Sequence, residues 1–127
     1  MLFDHVDLRV SDLNKVRGLY NTLLSAMGFT QVAEDADSIC YSTPAGDRAA
    51  PFFGINLDPR HAPNGSRIAL RASSRAEVDR LSELARVAGA AAFEAPHECL
   101  EYRPRYYASF FEDPDGNKLE ICYRETP

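Results

Sequence analysis

Long apolar runs are missing from this 127-residue sequence, so no transmembrane helix is expected. It does not open as a secretory leader would. Met1-Leu2-Phe3-Asp4-His5 has no basic region followed by an apolar core, and no signal peptide is expected. Basic residues are not in excess either. There are 14 Lys and Arg against 19 Asp and Glu, a formal net charge of −5, which argues against nucleic acid or an anionic membrane as partner. Cysteine is scarce, and Cys40, Cys99 and Cys122 are odd in number and widely spaced. That fits reduced thiols in a cytoplasmic setting better than a disulfide frame or a zinc knuckle. The chain has no glycine-rich phosphate loop, no nucleophile–base triad, no stripe of basic and aromatic residues and no low-complexity tail. What remains is the composition of an ordinary soluble globular domain with a core of its own, 45% apolar and 26% charged.

The pattern along the chain repeats. From Leu2 to Val10 the residues alternate, with Leu2, Val6, Leu8 and Val10 on one face, interrupted by Asp4, and Phe3, His5, Asp7 and Arg9 on the other. This spacing predicts a strand. Ser11 or Asp12 then caps a helix with the apolar stripe Leu13, Val16, Leu19, Tyr20, Leu23, Leu24 and Met27, and Gly28 stops it. The same order returns roughly 60 positions later, a spacing that argues for two copies of one unit. A strand over 67–72 leads into the capping box Ser74-Arg75-Ala76-Glu77 and a helix carrying Val78, Leu81, Leu84, Ala85 and Ala88, with Gly89 as its stop. Strand-like stretches follow each helix, over 29–33, 38–42 and 51–57 in the first half and 92–95, 106–111 and 118–123 in the second. Each half therefore reads β-α-β-β-β, over residues 1–58 and 66–124 of a single domain, joined by a linker rich in Pro, Gly and Asn. Residues 97–105 read as a charged loop.

The tail is the most informative stretch. Tyr106 to Ile121 reads as strand, tight turn, strand, with Asp113-Pro114-Asp115-Gly116-Asn117 supplying the turn and Thr43-Pro44-Ala45-Gly46-Asp47 as its first-half counterpart. Beyond the turn, period two puts Lys118, Glu120 and Cys122 on one face and Leu119, Ile121 and Tyr123 on the other. A carboxylate in the middle of such a strand is costly to bury unless something meets it.

Paired β-α-β-β-β modules with a terminal Asp113-Pro114-Asp115-Gly116-Asn117-Lys118-Leu119-Glu120 resemble the vicinal oxygen chelate superfamily, which includes glyoxalase I, the fosfomycin and bleomycin resistance proteins and extradiol dioxygenases. The opening His5-Val6-Asp7-Leu8-Arg9-Val10-Ser11-Asp12-Leu13 is similar to that family's first strand and helix cap. The resemblance implies an α+β fold, two modules forming a curved mixed sheet around a cleft, a small-molecule ligand in that cleft and a homodimer. It also implies a facial His, His, Glu set for a divalent Zn, Ni, Mn or Fe. Carried over, the first ligand is His5 and the last is Glu120. The middle one should open a pattern like His-Ile-Ala-Leu, where this chain has Arg67-Ile68-Ala69-Leu70.

Arg67 divides the functional readings. An arginine stays protonated and cannot ligate. Placed beside Glu120 it would repel a divalent cation and pair with the carboxylate, in a two-point fork. The leading reading is then a protein with a degenerate metal site that binds a small anionic or vicinal-oxygen ligand. The alternative is a metal-dependent lyase or dioxygenase using His5 and Glu120. A third reading is a metal-free isomerase or lyase in which Tyr106 or Tyr107 acts with Arg67. Glu120, Tyr106 and Arg67 are the catalytic candidates. Arg9, Arg71, Phe53 and Tyr107 are the ligand-binding ones, although for Arg9 and Arg71 the favoured role is pairing with Asp7 and neighbouring carboxylates. Only one of Tyr106 and Tyr107 can face the cavity, and period two alone does not choose between them. His61, His97, Glu98 and Glu101 are substitute metal ligands whose simpler role is that of solvated loop side chains.

Overall fold

The computed structural model describes residues 2–44, 50–102 and 105–125. Ala45, Gly46 and Asp47 of the expected first-half turn lie outside the described residues, as do Arg48 and Ala49 and, within the 97–105 stretch, Arg103 and Pro104. The chain divides into two compact units, Met1–Ala62 and Pro63–Pro127. Each is a β-α-β-β-β module with its own four-stranded mixed sheet, so the fold is α+β with two modules.

In the first unit the elements are β1 (His5–Val10), α1 (Leu13–Ala26), β2 (Gln31–Glu34), β3 (Ser38–Ser42) and β4 (Phe52–Leu57). The sheet order is β1-β4-β3-β2, with β1 parallel to β4 and the other pairs antiparallel. Asp12 is the helix cap. Its backbone is extended and its carboxylate accepts from Asn14 N at 2.9 Å. The stripe Leu13, Val16, Leu19, Tyr20, Leu23 and Leu24 is buried, as its spacing requires. It covers one face of the sheet, where Ile39, Tyr41, Phe53 and Ile55 are buried in turn. The Tyr41 hydroxyl donates to Asn21 Oδ1 at 2.6 Å, which satisfies a phenol held in the core.

The second unit holds β5 (Arg67–Arg71), α2 (Arg75–Val87), β6 (Ala91–Glu98), β7 (Tyr106–Glu112) and β8 (Lys118–Arg124), in the sheet order β5-β8-β7-β6. Ser74 Oγ accepts from Glu77 N at 3.0 Å, and Glu77 Oε1 accepts from Ser73 N at 3.0 Å. The reciprocal bond of the capping box thus falls one residue earlier than the usual form. Val78, Leu81 and Ala85 of α2 pack on the face that holds Leu119 and Ile121. No helix among the described residues is long and apolar enough to cross a membrane.

β6 departs from the sequence reading. It runs on through His97 and Glu98, which were expected in a loop. Its pairing with β7 shifts register twice, between Ala91 and Glu94 and again between Glu94 and His97, and Ala92 has φ +48°. Those shifts break the two-residue alternation that signals a strand. Pro96 is tolerated because β6 is an edge strand.

The turn between β7 and β8 sets the register of the hairpin. Asp113, fully buried, accepts at Oδ1 from Asp115 N (2.8 Å) and Asn117 N (3.0 Å), and at Oδ2 from Asn117 Nδ2 (2.9 Å). Gly116 has φ +92°, and a Cβ there would lie 2.9 Å from Pro63 Cγ. Gly28, past the end of α1, has φ +96° but open space around it. Alanine at Gly28 is expected to cost about 1–2 kcal/mol of stability from backbone strain alone. Gly116→Ala is expected to cost more, since the methyl group must also displace Pro63. Urea unfolding of the two variants, compared side by side, measures the difference.

Candidate functional site

Glu120, Tyr106, Arg67 and Arg71 lie on the sheet face of the second unit that is turned away from α2. Register puts Glu120 of β8 between Ala69 of β5 and Phe110 of β7, and Cys122 between Arg71 and Ala108. Lys118 is flanked by Arg67 and Glu112, and β6 adds Glu94 opposite Phe110 and His97 opposite Ala108. The middle of this face is buried. Cys99, Tyr106, Ala108, Phe110 and Cys122 form one cluster, and Glu120 is only 6% exposed. The edge-strand side chains Arg67, Ala69 and Arg71 on one side, and Glu94 and His97 on the other, are exposed.

Glu120 is met by Tyr106. The phenol donates a hydrogen bond to Glu120 Oε2, and every buried side-chain polar atom among the described residues has a partner. Burial pushes the Tyr106 hydroxyl far above the ordinary phenol range, and its contacts with Cys122 and Glu120 add to the shift. Tyr106 is therefore a protonated donor at neutral pH. Its ring is held by the Arg124 guanidinium, 4.5 Å from the centroid, and by the edge of Tyr102 at 4.9 Å.

Arg67 does not pair with Glu120, which corrects the expectation of a two-point fork. Its Cα faces Lys118 rather than Glu120, and its guanidinium lies over the Phe110 ring, 4.9 Å from the centroid. Lys118 itself pairs with Glu112 at 3.6 Å. Arg71 is exposed beside Cys122 and has no ion-pair partner among the described residues.

Tyr107 belongs to the other face. Its hydroxyl donates to Asp79 Oδ1 of α2 at 2.6 Å and its ring lies under the Arg75 guanidinium at 4.7 Å. It ties helix to sheet, so of the two neighbouring tyrosines it is Tyr106 that shares the face of Glu120.

In the first unit, His5, Asp7 and Arg9 share the face turned away from α1, as the alternation predicts, opposite Phe52, Gly54 and Asn56. The His5 ring stacks flat on Phe52, with centroids 4.4 Å apart and planes 5° from parallel. Its Nδ1 lies 2.7 Å from Asp4 Oδ1, and Nε2 lies 3.8 Å from Asp7 Oδ2. Phe53, the expected ligand contact, points the other way. It is 5% exposed and packs 5.9 Å from the ring of Tyr20 on α1, so Phe52 takes its place beside His5. Asp7 fills the space above Gly54, where a Cβ would lie 2.7 Å from Asp7 Oδ1. Arg9 borders a shallow hollow of about 440 Å³ with Ser38, Asn56 and Asp58.

The donor set does not suit a divalent metal. Among the described residues, neither unit brings three His, Cys, Asp or Glu side chains together in a ligating group. In the second unit an arginine stands on the strand beside Glu120, and the carboxyl is engaged by a phenol. The substitute ligands do not repair this. Glu98 binds Arg75 Nη2 at 2.9 Å, and His97 Nδ1 lies 3.0 Å from the Ala95 carbonyl oxygen. Glu101 is exposed, and His61 lies in the first unit, where its backbone N–H donates to the Asp58 carbonyl. The sequence reading missed Phe110 and Arg124. Parity with Tyr106 along β7 and with Glu120 along β8 would have placed both on this face.

A model of the Glyoxalase/Bleomycin resistance protein/Dioxygenase superfamily matches residues 2–121. Among solved structures the chain is similar to a glyoxalase/bleomycin resistance protein from Albidiferax ferrireducens T118, with 25% identity and a TM-score of 0.79 over 98% of this chain and 100% of that one. It has the fold of a glyoxalase-related enzyme from Fulvimarina pelagi (17% identity, TM-score 0.74, 98% and 88% covered). It also has the fold of the fosfomycin resistance protein FosX from Mesorhizobium loti (14% identity, TM-score 0.66, 97% and 92% covered). No curated protein is significantly similar in sequence.

Two outcomes test the buried tyrosine hydroxyls. Tyr106→Phe leaves a buried carboxyl oxygen without its donor and is expected to cost about 1–3 kcal/mol in urea unfolding, whereas Glu120→Gln keeps an accepting oxygen and is expected to cost less. The second outcome concerns alkaline stability. Burial raises Tyr106, and pushes Tyr41 up to about 12, so the unfolded chain releases these protons before the folded one. The stability these groups contribute is complete below about pH 10 and is lost as pH rises through the folded values. Unfolding free energies measured from pH 8 to 11 should fall in the wild type, and less steeply in Tyr41→Phe.

Proposed function

The chain belongs to the Glyoxalase/Bleomycin resistance protein/Dioxygenase superfamily, and from that premise we propose that it binds a small anionic molecule, a carboxylate or a ligand with neighbouring oxygens, on the Glu120 face of its second module, without a divalent metal. The observation that carries this reading is Arg67. Its guanidinium rests on Phe110 and no carboxylate among the described residues pairs with it, so its hydrogen-bond donors remain available to a ligand. Arg71, two residues along the same edge strand, adds a second cation on the same face.

The Tyr106–Glu120 pair supports binding over catalysis. The Tyr106 phenol proton, which a general acid would have to release, is already donated to Glu120, and the raised pKa of Tyr106 makes its release unfavourable near neutral pH. Tyr106 is then a positioning residue that holds Glu120 and walls the site. The metal-dependent lyase or dioxygenase reading with His5 and Glu120 requires a ligand where Arg67 stands. We further propose a homodimer, in which edge strands find cover.

The test combines metal content with ligand stabilisation. Protein purified without chelator or affinity metal is expected to hold less than about a tenth of an equivalent of Zn, Ni, Mn or Fe. Chelator is expected to leave the melting temperature unchanged. From a panel of small carboxylates and phosphonates, a binder at a hundredfold excess over its Kd should add about 2.7 kcal/mol of stability to the wild type and much less to Arg67→Met. One equivalent of metal, lost to chelator together with stability, would sink the proposal.

A further inference from the structure

The segment that leads into β5 is tied at both ends. Pro63 lies against Gly116 of the β7–β8 turn, where a Cβ on the glycine would sit 2.9 Å from Pro63 Cγ. Arg67 opens β5 opposite Lys118. Between these ties stand Asn64, Gly65 and Ser66, all exposed. Of the asparagines in the sequence, only Asn64 is followed by glycine. The others are held by regular structure or by buried bonds. Asn14 and Asn21 lie in α1, and Asn56 lies in β4, where its Nδ2 donates to Asp7. Asn117 is buried, and its Nδ2 donates to Asp113.

The local geometry makes Asn64 reactive. The Ser66 backbone N–H donates to Asn64 Oδ1 at 2.7 Å. That hydrogen bond folds the side chain over the Gly65 peptide, since the ring it closes contains both Asn64 Cγ and the Gly65 nitrogen. It also polarises the amide carbonyl and is placed to take the negative charge that grows on Oδ1 when a nucleophile adds. Gly65 supplies the nucleophile, its backbone nitrogen, with no side chain beside it. A Cβ here would meet nothing within 4 Å, and Gly65 is not among the glycines with positive φ. Neither packing nor backbone conformation demands glycine at this position. Its effect is to leave the neighbouring nitrogen open to attack.

We propose that Asn64 is a self-modifying site, at which the chain deamidates to isoaspartate and so loosens the entry to β5. The Gly65 nitrogen gives its proton to solvent base and attacks Asn64 Cγ. An N–Cγ bond forms, the Cγ–Nδ2 bond breaks, and ammonia leaves after taking a proton from water. The product is a cyclic imide, which water opens at either carbonyl. Cleavage between the Gly65 nitrogen and Cγ gives aspartate on an unchanged main chain. Cleavage between that nitrogen and the Asn64 backbone carbonyl carbon gives isoaspartate, whose main chain runs through Cβ and Cγ. No oxidant or reductant takes part. Isoaspartate therefore adds one main-chain carbon between two fixed ends, and the strand that carries Arg67 must absorb it. This chemistry goes beyond the proposed anion site and does not depend on it.

The test ages the full chain in mildly alkaline buffer beside Gly65→Ala, a variant the open space accommodates. Mass spectrometry of the digests is expected to show exchange of the amide for a carboxyl group at Asn64 in the wild type. Methyl transfer from S-adenosylmethionine by an isoaspartyl carboxyl methyltransferase should identify isoaspartate among the products. Gly65→Ala should react at least about tenfold more slowly. The isoaspartyl form, purified from the aged protein, should lose protection of the β5 amides in hydrogen exchange, while Asn64→Asp, which brings the charge without the added carbon, should keep it. An unchanged mass at Asn64, equal rates in wild type and Gly65→Ala, or aspartate as the sole product would each overturn the site. Equal β5 protection in fresh and isoaspartyl protein, or an equal loss in Asn64→Asp, would overturn the loosening by main-chain lengthening.

Discussion

A carboxyl group buried in the middle of a sheet must be given a hydrogen-bond donor, and here the donor is a phenol instead of a cation. The bond from Tyr106 to Glu120 determines much of what surrounds it. It satisfies the carboxyl without drawing in Arg67, which is left to lie on Phe110 with its charge unspent. It also fixes the Tyr106 ring, on which Arg124 and Tyr102 then pack. The bond depends in turn on the hairpin register, which the buried Asp113 sets by closing the turn with three accepted hydrogen bonds. A one-residue slip would carry Glu120 to the face under α2, where Leu119 and Ile121 now sit.

The parts of this molecule that follow a local period were legible in the sequence. Both helices and the faces of β1, β5 and β8 follow from spacings of 3.6 and 2, and the capping box marks Ser74, whereas Ser11 and Asp12 were equal candidates for the first cap until the structure showed Asp12. The difficulties arose where the deciding information is not local. Phe52 and Phe53 are equally apolar, and only the partner strands reveal which ring meets Tyr20 and which meets His5. Tyr106 and Tyr107 pose the same ambiguity, decided by Asp79 on α2 and Glu120 on β8. The expected fork between Arg67 and Glu120 failed on register, since β5 meets β8 with Ala69, not Arg67, opposite the carboxylate. β6 was hidden because its shifts erase the alternation that marks a strand.

The two modules also show how a shared plan diverges. The first and last strands of each run parallel, and the pair in the middle of each ladder can be compared directly, Asp7 with Gly54 in the first and Ala69 with Glu120 in the second. Each pair has one acid and one small residue, in opposite order. In the first module the acid comes from the edge strand and overhangs a glycine, and in the second it comes from the central strand beside an alanine.

That reversal has a local consequence. A methyl group at position 54 would meet the Asp7 carboxylate at 2.7 Å, so any side chain larger than hydrogen there requires the exposed Asp7 to rotate to another staggered position and give up its present place over the strand.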